Sequence, residues 1–145
     1  MGKKRADSDE YYVLDICDEV LGKKGIRQYN EFNFLCGDTG RPLAVDIFYP
    51  NRNLVIEYRE KQHYVDVPFF DKPEKMTASG VPRNVQRQIY DKRREEKLPQ
   101  HGFDIVIIPY FKLDSKKNGK LNRNHEADIC TIRMMLNKYI NINDK

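Results

Sequence analysis

The first element predicted from the pattern of apolar and polar positions is a helix. Apolar residues recur every three or four positions at Val13, Ile16, Cys17, Val20 and Leu21. Ser8 is suited to cap the first turn, because its side-chain oxygen can accept a hydrogen bond from a free backbone N–H group. Gly22 or Gly25 would end the helix. We therefore predict a helix that begins just after Ser8.

The pattern then changes to one that is typical of strands. Segments rich in β-branched and aromatic residues predict strands at Tyr29–Cys36, Leu43–Tyr49 and Leu54–Glu60. The turn residues Pro50–Asn53 join the second and third strands into a hairpin. Phe103–Tyr110 is a nearly continuous apolar run, which is typical of a strand buried on both faces of a central sheet.

Two further helices complete the predicted fold. One begins at Pro82 and runs to about Leu98. The last carries Ile129, Ile132, Leu136 and Tyr139 along one face. The order α-β-β-β-α-β-α predicts an α/β fold, with one mixed sheet flanked by helices. Residues 64–82 contain several prolines and no sustained period, which is typical of a functional or a disordered loop.

Length and composition indicate a single domain. The chain has 145 residues, and we assign residues 1–7 to a flexible basic tail and residues 8–145 to one domain. Its apolar runs are too short to cross a bilayer, and its first residues lack the apolar core of a secretory signal. We therefore expect a cytoplasmic protein without membrane contact. The three cysteines lack the spacing of a zinc site or a disulfide framework, so we expect them to be reduced and buried.

Positive charge is concentrated along the second predicted helix. The net charge of the chain is only +4, but residues 83–97 carry six basic residues against three acidic ones. On a helical wheel one side is cationic, and Val85 and Ile89 lie on the opposite side, which is expected to dock on the sheet. The cationic side comprises Arg83, Arg87, Arg94 and Lys97. It would suit an anionic partner such as the phosphates of a nucleic acid, although a solvated helix with Asp91, Glu95 and Glu96 as ion-pair partners would have the same composition.

The predicted hairpin brings two carboxylates together. A turn centred between Asn51 and Arg52 places Asp46 directly opposite Glu57, with Cβ atoms about 4.5–5.5 Å apart. The period of two puts Ala44, Phe48, Val55, Arg59 and Lys61 on the same face. It assigns Val45, Ile47, Tyr49, Leu54 and Ile56 to the core face.

Opposed carboxylates repel each other, so a positive charge is expected between them. A divalent cation such as Mg²⁺ would meet this need, because it binds carboxylate oxygens and keeps sites for water and phosphate. Alternatively, Arg59 or Lys61 neutralises both acids in a purely structural cluster. The geometry of the hairpin leaves both interpretations open.

The segment from Val45 to Tyr64 resembles a known nuclease signature. Its Asp46, the run Ile-Glu-Tyr and the closing Gln-His-Tyr are similar to the PD-(D/E)XK, or restriction-endonuclease-like, superfamily. More narrowly, the segment resembles small bacterial and phage members related to very-short-patch-repair and Holliday-junction nucleases. The resemblance extends from Ser8 to Tyr110 and implies a restriction-endonuclease-like core, with a three-stranded meander plus a further strand.

The resemblance also implies roles for individual residues. Asp46 and Glu57, with the Tyr58 carbonyl, would hold Mg²⁺, and Mn²⁺ is expected to substitute. Arg59, Lys61, Gln62 and His63 would act in catalysis. Arg59 or Lys61 would stabilise the transition state, and Gln62 and His63 would orient or activate water.

The sequence departs from the signature at three positions. Arg59 stands where the family has lysine, Glu60 replaces a glycine, and Leu14 occupies the position of the acid on the first helix. Arginine is always protonated, so Arg59 cannot act as a base. Glu10 and Asp18, one helical turn either side of Leu14, are the candidates for the missing helix acid.

The resemblance predicts a Mg²⁺-dependent endonuclease that hydrolyses double-stranded or branched DNA, bacterial or phage-encoded, with nicking, restriction, repair or resolvase-like activity. Lys72 and Lys75 of the loop are expected to contact DNA phosphates. Phe69 and Phe70 would fill the core or stack on bases. A double-strand cut would need a homodimer or two successive nicks. The alternatives are an inactive nucleic-acid-binding module of this fold and a subunit that docks on a larger defence or repair complex.

Overall fold

The computed structural model describes residues 5–64 and 82–140, which form three α-helices and four strands. In chain order the elements are α1 (Asp9–Leu21), β1 (Ile26–Tyr29), β2 (Val45–Tyr49), β3 (Leu54–Arg59), α2 (Arg83–Gln100), β4 (Asp104–Pro109) and α3 (His125–Met135). This is the predicted order α-β-β-β-α-β-α. Arg5–Asp7, assigned above to the tail, form a 3₁₀ turn.

The four strands form one mixed sheet in the order β1-β2-β3-β4. β1, β2 and β3 are an antiparallel meander, and β4 pairs with β3 in parallel. Ile47 pairs with Ile56 and Tyr49 with Leu54, which is the register predicted from the position of the turn. The predicted α/β class, with a meander plus a further strand, is confirmed.

Both faces of the sheet are covered. On one face, α1 and α3 pack against β2, β3 and β4, with Val13, Ile16, Ile47, Tyr49, Leu54, Ile56, Ile108 and Ile132 among the buried residues. On the other face lies a second core of Phe32, Leu35, Val45, Phe48, Val55 and Leu98. Val45 was assigned to the first core, and this was wrong. The β2–β3 pairing runs from Tyr49 to Ile47, and Val45 lies beyond it.

The first helix has the predicted ends. The side chain of Ser8 accepts a hydrogen bond from the Tyr11 N–H group at 3.2 Å. Gly22 ends the helix at a φ of 67°, in the left-handed region that glycine adopts without strain. The predicted apolar residues form the buried face of α1.

The first strand lies earlier than predicted. β1 comprises Ile26–Tyr29 rather than Tyr29–Cys36. The aromatic residues that suggested a strand lie in the segment after β1, where Phe32 packs 4.9 Å from both Phe48 and Phe103. Those rings cover the second face of the sheet instead of extending it, where they are buried against one another.

The fourth strand is not central. Of its residues only Ile108 is buried, and the others are partly or fully exposed. β4 lies at the edge of the described sheet, where it pairs with β3 on one side and with no described strand on the other. Its apolar side chains are therefore less buried than those of a central strand. β3 is the strand buried along its whole length. None of the described helices is both long enough and apolar enough to cross a membrane.

Candidate active site

Asp46 and Glu57 meet at the end of the β2–β3 pairing. The Asp46 N–H group donates to Glu57 Oε2 at 3.0 Å, and the Tyr58 N–H group donates to Asp46 Oδ2 at 2.8 Å. Each carboxylate therefore bonds to the backbone of the other strand, just beyond the last regular pair, Ile47 with Ile56. This exchange fixes the two acids side by side. Asp46 and Glu57 therefore lie next to each other, as predicted. Their side chains take the place of the backbone hydrogen bonds that would otherwise continue the β2–β3 pairing.

The charge of Asp46 is poorly compensated. Burial, the charge of Glu57 and the charge of Glu10 all raise the pKa of Asp46, against the smaller opposing effects of the Tyr58 N–H group and Arg94. Asp46 forms no ion pair within residues 5–64 and 82–140. Such a site favours a proton or a cation.

Glu10 of α1 belongs to this acidic region. Burial raises the pKa of Glu10. The charge of Arg5 lowers this pKa, and the charges of Glu60 and Glu57 raise it further. Gln28 Nε2 donates to Glu10 Oε2 at 2.9 Å. Gln28 adopts a φ of 51°. Its neighbours Arg27 and Tyr29 pair with Ile47 and Val45, so Gln28 lies at the level of Asp46. The strained backbone of β1 thus positions an amide that orients Glu10.

Asp18, the other candidate helix acid, is engaged elsewhere. Its Oδ1 accepts hydrogen bonds from Gly25 N–H at 2.9 Å and from the Tyr49 hydroxyl at 2.6 Å, and its Oδ2 pairs with Arg27 at 2.8 Å. These contacts tie α1 to the sheet. Leu14, between the two acids, is fully buried in the first core.

Arg59 is a buried cation at the centre of several carboxylates. Its guanidinium lies 3.4 Å from Glu57 Oε1, 2.9 Å from Glu95 Oε2 and 3.9 Å from Asp91 Oδ1. Burial opposes its charge, but Asp91, Glu95 and Glu57 outweigh burial and raise the pKa of Arg59. Arg59 neutralises Glu57. Among the described residues it forms no ion pair with Asp46, so a structural cluster centred on Arg59 would neutralise only one of the two acids.

Asp91 of α2 connects His63 to two arginines. His63 Nδ1 lies 2.6 Å from Asp91 Oδ2, and Arg94 Nη1 donates to Asp91 Oδ1 at 3.3 Å. Burial alone would raise the pKa of Asp91, but the hydrogen bond with His63 and the charges of His63, Arg59 and Arg94 lower it. Asp91 is therefore an ionised, buried acceptor that fixes the His63 ring through Nδ1.

The orientation predicted for α2 was wrong. Its buried residues are Asp91 and Leu98, whereas Ile89 is exposed. Arg94, expected on a solvent-facing stripe, donates to the Ala44 carbonyl at 3.0 Å and lies 4.0 Å from Glu57 Oε1. The buried side of α2 meets the acidic site at Asp91 and the second apolar core at Leu98, so only part of it is apolar.

The remaining basic residues of α2 have different environments. Arg83 and Lys97 are exposed, and the half-buried Arg87 donates to the Gln62 carbonyl at 3.3 Å. Gln62 is itself exposed, beside His63. Lys72 and Lys75, like Phe69 and Phe70, lie outside the described residues.

Lys61 does not lie where the period of two predicted. β3 ends at Arg59, and Lys61–His63 form a 3₁₀ turn. Lys61 Nζ donates to the Lys117 carbonyl at 2.8 Å, so it bonds to a neighbouring loop rather than to the acid pair. The predicted placement of Lys61 on the carboxylate face is therefore wrong.

Sequence analysis missed Asp91 and Gln28 as members of the site. Asp91 was taken as an ion-pair partner on a solvated helix, but its spacing of three from Arg94 and seven from Leu98 puts all three on one helical face. That spacing could have identified the buried side of α2. Nothing in the local sequence of Gln28 indicates its role, because it depends on the register between β1 and β2.

A metal ion at this site would rely on few protein ligands. Within the two described ranges no three His, Cys, Asp or Glu side chains are grouped to bind one metal ion. Mg²⁺ is commonly held by one or two carboxylates, with water and phosphate oxygens in its remaining positions. Asp46 and Glu57 offer the oxygen donors that such an ion binds.

Comparison with known proteins gives one structural similarity. No protein-family model matches the chain, and no curated protein matches its sequence. Among solved structures it is similar to the 5-hydroxymethylcytosine-specific restriction enzyme AbaSI, with 18% sequence identity and a TM-score of 0.46. The aligned region covers 96% of this chain and 43% of that enzyme, so the chain spans less than half its length. The site is assigned from side-chain geometry alone.

Proposed function

We propose that the chain is a metal-dependent endonuclease that hydrolyses phosphodiester bonds in DNA. The observation that carries this proposal is the pair Asp46 and Glu57, each bonded to the backbone of the other's strand. Stability alone does not favour the half-buried Asp46 beside the buried Glu57, because their charges repel. The pair is explained if a divalent cation binds there during function.

The donor set fits Mg²⁺, and Mn²⁺ as a substitute. Asp46, Glu57 and the Tyr58 carbonyl supply hard oxygen atoms, and Asp46 Oδ1 has no hydrogen bond to any described residue. Glu10 adds negative potential without completing a three-residue cluster. When bound, the ion would activate the attacking water and stabilise the leaving oxygen.

Two arginines supply the positive charge that a phosphate needs. Arg59 and Arg94 approach Glu57 from β3 and α2. Both remain protonated at any relevant pH, so they would stabilise the negative charge that develops on the phosphorus oxygens rather than act as bases. Arg59 would then have the electrostatic part of the role that lysine has in the resembled signature.

His63 is the residue best suited to proton transfer. Because Asp91 engages Nδ1, the ring presents Nε2 for a water molecule or a leaving oxygen. Gln62, next to it, is exposed and would help orient the water. An imidazole can both accept and donate a proton, which neither arginine can do.

DNA is the substrate that the charge distribution favours. Arg83 and Lys97 are exposed on α2, which borders the site through Asp91 and Arg94. Exposed cations beside a catalytic centre bind phosphates without reading sequence. One chain would hold one site, so a homodimer would be required only for a concerted double-strand cut.

A second candidate is a nucleic-acid-binding module without catalysis. The observation that favours it is the ion pair between Arg59 and Glu57, which neutralises one of the two acids without any metal.

The third alternative, a subunit docked through its last helix, requires spare apolar surface on that helix. On α3 the large exposed hydrophobic residue is Met134, which offers little surface for docking.

Cleavage of supercoiled plasmid tests the proposal. The wild type is incubated with Mg²⁺, Mn²⁺ or EDTA beside Asp46→Asn and Glu57→Gln. Asp15→Asn and Glu19→Gln remove exposed carboxylates of α1 and serve as matched controls. We expect metal-dependent nicking that falls at least about 100-fold in the two site variants and is unchanged in the controls. Intact DNA binding without cleavage in either metal would favour the inactive module.

A further inference from the structure

Three aromatic rings form a surface cluster beside the candidate site. Tyr64 lies 5.3 Å from Phe111 and 6.0 Å from Tyr110 between ring centroids, and Tyr110 lies 5.5 Å from Phe111. Tyr64 directly follows the turn that holds His63. Tyr110 and Phe111 follow the carboxyl end of β4, which is parallel to β3. The cluster therefore lies where both strands leave the sheet.

Two of these rings face solvent. Phe111 is 55% exposed and Tyr64 44% exposed, while Tyr110 packs against the first core. We call Tyr64 and Phe111 the aromatic platform. Grouped aromatic rings that remain exposed next to a functional site indicate a binding surface, since burying them elsewhere would have stabilised the fold.

The platform continues into a strongly cationic loop. Residues 112–120 carry four exposed lysines, Lys112, Lys116, Lys117 and Lys120, with Asp114 as the acidic residue of the loop. None of these lysines forms an ion pair with a residue of the described ranges. The loop is held against the Lys61–His63 turn, because Lys61 Nζ donates to the Lys117 carbonyl at 2.8 Å and the Lys61 side chain packs on Gly119.

Exposed rings next to free lysines match one kind of ligand in particular. A nucleotide strand combines flat bases, which stack on aromatic rings, with regularly spaced phosphates, which bind lysine. In a continuous duplex both faces of each base are covered by neighbouring bases. The rings can therefore receive only a base that has left its stack.

We propose that the aromatic platform stacks on an unpaired base next to the scissile phosphate, while the lysines of the loop bind the phosphates beyond it. The substrate class would then be DNA with unpaired nucleotides at the cleavage point, such as a single strand, a flap or a branch. This inference rests on the proposed nuclease function, which it narrows. It gives Tyr64 and Phe111 a role in substrate selection.

Stacking is measured directly with DNA that contains 2-aminopurine, whose fluorescence falls when the base stacks. A single-stranded oligonucleotide and the same sequence in a duplex are titrated with protein in Ca²⁺, without a catalytic metal. We expect quenching and tighter binding with the single strand. Phe111→Ala should lose the quenching and weaken binding about ten-fold, whereas Phe111→Tyr should retain both. Met134→Ala, which removes another exposed hydrophobic residue, should behave like the wild type.

Two results would overturn the proposal. One is equal quenching by the wild type and Phe111→Ala, and the other is tighter binding of the duplex than of the single strand. Thermal melting of Phe111→Ala shows whether that variant is folded, and Tyr64→Leu provides a second platform variant if it is not. Plasmid nicking is scored separately. Nicking without stacking would refute the platform alone, and stacking without nicking on any substrate would refute the nuclease function alone.

Discussion

Asp46 carries the least compensated charge of the candidate site. Its neighbours Glu57 and Glu10 are acidic, and burial adds to their effect on its pKa. Glu57, by contrast, has Arg59 and Arg94 within 4.0 Å. This asymmetry indicates that Asp46 is the residue whose charge a bound cation would compensate most.

Asp46→Asn should therefore stabilise the metal-free protein. A carboxyl group whose pKa is raised in the folded state lowers the free energy of unfolding once pH exceeds its unfolded pKa, about 3.9 for Asp. This loss of stability grows as pH rises towards the folded pKa. Asparagine removes the charge but can still accept from the Tyr58 N–H group. We expect a gain of about 1 kcal/mol at pH 8 in EDTA that shrinks towards pH 4. Thermal unfolding across this range measures it, and equal stability at pH 8 would contradict the charge assignment.

The cysteines provide an independent check of burial at single residues. We expected all three to be buried, but only Cys17 is, and Cys130 is exposed. Burial raises the pKa of Cys17, which removes the reactive thiolate. A thiol reagent should label Cys130 within minutes and Cys17 only after unfolding, as mass spectrometry of the labelled peptides would show. Rapid labelling of Cys17 in the native protein would contradict the packing of α1.

At the scale of elements, α2 is held to the sheet by a polar contact. Asp91 brings together His63, Arg59 and Arg94. One helical residue therefore links the Lys61–His63 turn, β3 and its own helix. Helical-wheel analysis placed apolar residues on the docking side and misjudged this orientation. Amphipathic patterns identify a buried face only where the surface opposite is apolar.

Asp91→Ala should destabilise the protein by about 3 kcal/mol, because it removes the buried carboxylate that His63, Arg59 and Arg94 share. Chemical denaturation measures this difference. Glu96→Ala on the same helix is the matched control, since Glu96 is exposed and its one ion pair with a described residue is to Lys92. It should change stability by less than about 0.5 kcal/mol. Similar effects of the two substitutions would mean that α2 does not dock through Asp91.

The junction between α1 and the sheet depends on close packing at Gly25. A Cβ atom there would lie 2.5 Å from Ile47 Cγ1 and 2.9 Å from a ring carbon of Tyr49. Gly25→Ala should cost about 2 kcal/mol through overpacking, while Lys24→Ala at the exposed neighbouring position should be neutral. Urea unfolding compares them, and an unchanged midpoint for Gly25→Ala would disprove this packing.

Strands were predicted best where one face is apolar and a short turn fixes the register. β2 and β3 meet both conditions, and the approach of Asp46 to Glu57 followed from them. β1 could not be located in this way, because its one aliphatic residue, Ile26, is 47% exposed and its pairing with β2 defines it. β4 was assigned a central position because edge and central strands can have similar compositions.

At the scale of the whole molecule, the two cores leave the acid pair where β2 and β3 separate. Glu10 approaches from α1, and Arg94 approaches from α2 on the other side. The element order could be predicted from periodicity and turns. The polar network could not, because Asp91, His63 and Arg59 come from three parts of the chain and meet only through the fold.

A chain with one site should nick before it cuts. In a plasmid time course we expect open circles to accumulate first and linear DNA to follow as a second product, since each chain would cleave one strand at a time. Gel electrophoresis of timed samples, with light scattering on the same preparation, measures both product order and oligomeric state. Simultaneous appearance of linear product would instead indicate a dimer with two aligned sites.

Direct titration with Mn²⁺ is the most direct test of the central claim, that Asp46 and Glu57 bind a divalent metal ion. Calorimetry should give one site per chain in the wild type and in Asp15→Asn. Binding should weaken at least about ten-fold in Asp46→Asn and in Glu57→Gln, since each loses a ligand charge. Absence of Mn²⁺ binding by the wild type, or unchanged affinity in both site variants, would show that the acid pair is a structural ion-pair cluster and not a metal centre.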